Sequence, residues 1–178
     1  MSGKRYINMC MNNEGEYGKY FMQDLILPTV MDNQEAREKY RAKGRRRILW
    51  IDSNNMDGAN FQMNCAWIVH ADREIQLTAE TDGTEGMRRL THYHDTDELI
   101  GFLGSNPDDP SDLCGEIEFH VEGEIHILTR STFIFMPAGM KHFPMYMNRI
   151  DRPVFHFSQV FGANYHMNLS DGSIYRAE

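Results

Sequence analysis

The sequence has no run of about 18 apolar residues, so no segment of it reads as a membrane-spanning helix. Its opening, MSGKRYINMC, lacks the apolar centre of a secretory signal, and a cytoplasmic chain with no membrane partner is the expectation. A basic balance is missing too: 18 Lys and Arg against 26 Asp and Glu give a formal charge of -8 at pH 7. Such a chain has little with which to neutralise phosphates, so no nucleic-acid partner is expected. The one dense basic run, RAKGRRR (Arg41 to Arg47), falls between a predicted helix and a predicted strand. It reads as a solvated helix C-terminus balancing the macrodipole. Cysteine is scarce. Cys10, Cys65 and Cys114 are an odd number without a CxxC, which points to reduced thiols rather than a disulfide framework. There is no GxSxG, no glycine-rich phosphate loop, and no basic neighbour to activate a cysteine, so nucleophilic catalysis finds no support.

What is present suits one globular domain: 178 residues, 41% hydrophobic and 25% charged. Residues 1–50 read as an N-terminal arm and helix packed on a domain spanning 51–178. MDNQEAREKYRAKG carries the helix signals: Asp32 as cap, Glu35 at the capping-box position, good helix formers, and Gly44 to end it. Beyond Arg47 the pattern changes to short alternating or apolar runs separated by turn residues. RILWID, FQMNCAWIVHA, EIQLTAE, RRLTHYH, ELIGFLG, GEIEFHVEG, EIHILTR, TFIFMPAG and PVFHFSQVF all read as strands. GEIEFHVE and EIHILTR meet at Gly123 and predict a hairpin, whereas SNPDDPSDLCG, with its prolines and aspartates, predicts a surface loop. Many short strands with one helix predict an all-β fold, an antiparallel barrel or sandwich. The 13 methionines read as adaptable core packing.

The chemistry concentrates in THYHDTDE. Side chains at i and i+2 of a strand share a face, which places His92 beside His94, and Glu98 keeps the same parity. His142 follows the turn IFMPAGMKH, in which Pro137 fixes φ and Gly139 frees the chain to reverse. A neighbouring strand could thereby bring a fourth ligand to the same place.

Together these segments resemble the two motifs of the cupin superfamily. GMRRLTHYHDTDELIGFLG matches the first in Gly86, His92, His94 and Glu98, and STFIFMPAGMKHFPMYMN matches the second in Pro137, Gly139 and His142. Only five residues separate Glu98 from Gly104, Ser131 stands where the pattern opens with glycine, and Asn148 comes two places late. The resemblance covers about residues 60–160. It implies a cupin barrel or jelly roll of two antiparallel sheets, a homodimer, and His92, His94, Glu98 and His142 as ligands of one divalent metal. Three nitrogens and one carboxylate oxygen suit Fe, Mn, Ni or Zn. Four protein ligands leave two positions of an octahedral ion open, enough for substrate alone or substrate with dioxygen.

The expectation is a mononuclear metal enzyme acting on a small organic metabolite, of dioxygenase type. An isomerase or decarboxylase uses the same ligands, and a non-catalytic binding cupin needs only the cavity. Three residues are candidates for catalytic work beside the metal. Arg88 shares the parity of His92 and has a guanidinium suited to a carboxylate. Tyr146 shares the parity of His142, and His156 has an imidazole that transfers protons near neutral pH.

Overall fold

The computed structural model describes residues 17–28, 32, 34–73, 91–163, 166–169, 172 and 174–176. Arg88 and the expected strand EIQLTAE lie outside these residues. The helix α1 spans Gln34–Ala42, and Gly44 follows it at φ +71°, the left-handed value at which helices end.

Among the described residues eleven strands form two antiparallel sheets, as the alternation predicts. The first sheet contains β1 (Arg45–Ile51), β2 (Gln62–Ile68), β4 (Glu98–Leu103), β7 (Thr132–Met136) and β9 (Val154–Val160), in the order β1-β2-β9-β4-β7. The second contains β3 (His92–Tyr93), β5 (Asp112–Val121), β6 (Glu124–Arg130), β8 (His142–Ile150), β10 (His166–Leu169) and β11 (Ile174–Arg176), in the order β11-β10-β3-β8-β5-β6. Between them lies a core of Ile68, Ile100, Phe102, Leu113, Ile117, Phe119, Met136, Met145, Met147 and Val154. Three methionines stand in it, which is the packing role their number suggests. The outer face of the first sheet is apolar as well: Trp67 meets Phe155 at 5.5 Å between ring centroids, and Phe133 meets Phe157 at 5.6 Å.

Several elements differ from the sequence reading. The basic run is not a solvated helix end. Arg45, Arg46 and Arg47 belong to β1, in register with Ile68, Trp67 and Ala66, and Arg45 is buried. Part of the expected acidic loop is strand: β5 begins at Asp112, and Leu113 is fully buried. β8, β10 and β11 carry no strand signal strong enough to read, because Pro144 interrupts the first and the other two are short. The β5–β6 hairpin forms where expected. Val121 faces Glu124 across a two-residue turn, and Glu122 (φ 48°) and Gly123 (φ 86°) both take the positive φ that a type I′ turn requires.

Candidate metal centre

The four sequence-predicted ligands come together, though not on one strand. His92 sits in β3, and the chain then leaves the second sheet and enters the first, so Glu98 arrives as the opening residue of β4. The site is therefore clasped between the sheets rather than spread along a strand face. His142 opens β8 directly opposite His92 in the register. The turn before it is built as the sequence suggests: Met140 N–H donates to Pro137 O (3.0 Å) and Gly139 takes φ +85°, the third-position requirement of a type II turn. That turn is stitched to the first motif. Gly139 N–H donates to His94 O (2.8 Å), and Ala138 N–H donates to Asp97 Oδ1 (2.9 Å). Asp97 thus ties the two motifs together.

All four side chains are buried. The ring centroids of His92 and His142 are 4.3 Å apart, those of His92 and His94 5.3 Å, and those of His94 and His142 5.5 Å. The three imidazoles each offer a nitrogen, all within 4.8 Å of one another, and could hold a metal ion. Glu98 Oε2 lies 3.0 Å from His142 Nε2 and 3.4 Å from His94 Nε2.

The far side of the rings decides what faces the centre. His94 Nδ1–H donates to His166 O (2.6 Å), and His142 Nδ1–H donates to Met140 O (3.1 Å). With the protons held at Nδ1, the Nε2 lone pairs point inward. Glu98 is anchored on its other oxygen, where Ser158 Oγ–H donates to Oε1 (2.8 Å). Glu98 Oε2 and His142 Nε2 are buried without a hydrogen bond of normal geometry. Burial pushes the Glu98 carboxyl up, and the contacts with His142 and His94 outweigh it when their inner nitrogens carry protons, holding the group below the usual carboxylate range; a divalent cation would take the place of those protons. An ionised carboxylate facing nitrogen lone pairs in a dry pocket needs a positive charge between them, which a divalent cation supplies. The residues fit the group.

Of the candidate catalytic residues, His156 points into the interior. It is buried, stacked on Phe102 at 4.7 Å between centroids, and its Nδ1–H donates to Gly101 O (3.1 Å). Burial and the nearby Arg45 lower its pKa to about 4, so it is a neutral imidazole near pH 7. Tyr146 does not line the site. It lies on the outer face with His120 (6.0 Å between centroids) and under Arg73 (5.0 Å), while Met145 and Met147 enter the core. The cause is a register shift between Phe119 and Val121 where β5 meets β8, beside Phe143 at φ 75° and the cis Phe143–Pro144 bond. The extra residue reverses the parity counted from His142. Asn148 shares this outer cluster, donating to Glu116 Oε1 (3.0 Å) and accepting from Arg73 (2.8 Å).

Two groups around the site were not singled out from the sequence. Ser158 is inward-facing in β9, and the inward parity of PVFHFSQVF pairs it with His156. The other is β10, whose His166 carbonyl orients His94. Asp95 secures that strand by accepting from His166 Nε2 (3.0 Å) and Asn168 Nδ2 (2.8 Å).

No protein-family model matches the chain, and no curated protein matches it. Solved structures do. An uncharacterized conserved protein with a double-stranded beta-helix domain from Klebsiella pneumoniae is 16% identical over 75% of this chain and 84% of its own, with a TM-score of 0.38. A sugar phosphate isomerase of the cupin superfamily from Silicibacter pomeroyi is 15% identical over 79% and 81%, with a TM-score of 0.39. The DMSP lyase DddQ from Ruegeria pomeroyi is 15% identical over 88% of this chain and 64% of its own, with a TM-score of 0.41. The chain itself presents the class that its cupin resemblance implies: two antiparallel sheets enclosing a buried cluster of three histidines.

Proposed function

We propose that the chain is a divalent-metal-dependent enzyme acting on a small organic metabolite, with His92, His94, Glu98 and His142 as ligands of one Fe, Mn, Ni or Zn ion. The observation that carries this reading is the convergence of His142 Nε2 and Glu98 Oε2 on one buried point, each held from behind by Met140 O and Ser158 Oγ. An ion held by these three neutral imidazoles and one carboxylate would keep a charge of about +1 and would supply a Lewis acid toward substrate oxygens.

His156 directs the choice of reaction. Its Nδ1–H is committed to Gly101 O, which leaves Nε2 as an acceptor for a substrate hydroxyl, and with its pKa lowered to about 4 it serves as a base only toward a proton that a bound ion would acidify. This favours proton-transfer chemistry, that of an isomerase or lyase. The dioxygenase reading is the second, favoured by the apolar core, Met136, Met145 and Met147 included, that the sheets enclose. Metal analysis of the purified protein, followed by assays of proton exchange and oxygen uptake over sugar acids, keto acids and thiols, tests both. Stoichiometric metal with solvent-proton exchange supports the first and oxygen consumption the second. Absence of any bound transition metal after loading would sink both.

A further inference from the structure

β1 turns two arginines toward the interior. Arg45 is in register with Ile68 and Arg47 with Ala66, both fully buried, whereas Arg46 between them faces out and is exposed. A guanidinium stays charged at every pH the fold survives, and an inward one calls for a counter-charge. Arg45 has one, since its Nη2 lies 3.5 Å from Asp72 Oδ2. Arg47 has none among the described residues. Its guanidinium lies over the Tyr40 ring at 4.1 Å and 6.0 Å from the Trp50 ring, and its Nε is buried without a hydrogen-bond partner. The two rings hold the plane of the fork and neutralise nothing.

The sheet register relates this charge to the metal centre. Arg47, Ala66, His156 and Phe102 form one transverse row, and Trp50, Asn64, Ser158 and Ile100 form the next. The row beyond holds Gln62, Val160 and Glu98, with Ser158 bonded to Glu98. Ala66 gives Arg47 an open neighbour, and His156 stands two strands away, about 10 Å at the usual strand spacing.

We infer that Arg47 is the binding point for an oxyanion group, a carboxylate or a phosphate, of the molecule processed at the imidazole cluster. The planar fork, fixed by Tyr40 and Trp50, matches two oxygens of such a group. An anionic metabolite would then lie between two positive centres, Arg47 and the metal, with His156 beside it. This assignment rests on the metal reading of the cluster, and its test separates the two.

The measurement is binding of inorganic phosphate and of acetate to the chelator-treated protein, by calorimetry and thermal shift, with chloride at equal ionic strength as reference. One of the two oxyanions should bind the native sequence saturably, its identity giving the substrate's anionic group. Arg47→Met should abolish binding. Arg47→Lys, which keeps the charge and loses the fork, should weaken it about tenfold or more. Arg149→Met, on an exposed arginine paired with Asp151, should leave it unchanged. No binding beyond chloride, or equal binding by Arg47→Met, overturns the assignment. Metal content measured in parallel distinguishes the failures: metal uptake without oxyanion binding removes Arg47 alone, and oxyanion binding without metal uptake removes the metal reading.

Discussion

At the residue scale the site was partly legible because period two is a strong constraint. Its residues were found, but the reason for Glu98 was different: it reaches the histidines from the opposite sheet, after a crossover that no parity count contains. Tyr146 was misplaced by a single extra residue near Phe143, and Ser158 was invisible because a serine in a strand carries no signal of the carboxylate it serves. Ser158→Ala removes the hydrogen bond that fixes Glu98 Oε1, and metal affinity measured by competition with a chelator should fall about tenfold, with circular dichroism unchanged. His156 gives a pH dependence. Its folded pKa of about 4 lies below the ordinary value of 6.5, so between these pH values the unfolded chain binds more protons than the folded one. Stability from this group is present above pH 6.5 and lost as pH falls through 4, by about 3 kcal/mol. Denaturant titrations from pH 7 to 4 should show a shallower decline for His156→Gln than for the native sequence.

Strands with clean alternation were readable at the element scale, and those broken by proline or opened by polar residues were not. The two motif departures around Gly104 and Ser131 meet in one place. Ser131 Oγ accepts from Gly104 N–H (3.0 Å) and donates to Pro110 O (2.8 Å), so the serine in the glycine position ties β4, the acidic loop and β7 together. Gly104 has no room for a side chain, since a Cβ there would stand 1.9 Å from Asp112 O, a backbone atom that cannot swing aside. Gly104→Ala should therefore cost about 1–3 kcal/mol, read as a fall in Tm of roughly 2–4 °C per kcal/mol. An unchanged Tm would mean that the β4–β5 connection yields more easily than its contacts suggest.

For the whole molecule, the two-sheet class followed from strand number and spacing, while the assignment of each strand to a sheet did not. The centre joins β3, β4 and β8, elements from both sheets, so an ion bound there favours the folded state over the unfolded one. Free metal at one hundred times its Kd should add about 2.7 kcal/mol, raising Tm by roughly 5–10 °C, and a chelator should reverse the shift. The exposed apolar residues of both sheets have another consequence. Among the described residues β6 is an edge strand of the second sheet and β7 of the first, and along them Ile125, Ile127, Phe133 and Phe135 are 60%, 51%, 62% and 58% exposed. An uncovered edge offers backbone donors and acceptors as a template for further strands, and here it is bordered by greasy side chains rather than the lysines and prolines that discourage stacking. The net charge of -8 opposes such growth through mutual repulsion. Colloidal stability should consequently be poorest near the pI of about 5.4, where that repulsion vanishes and the β6–β7 margin is left to govern how molecules meet.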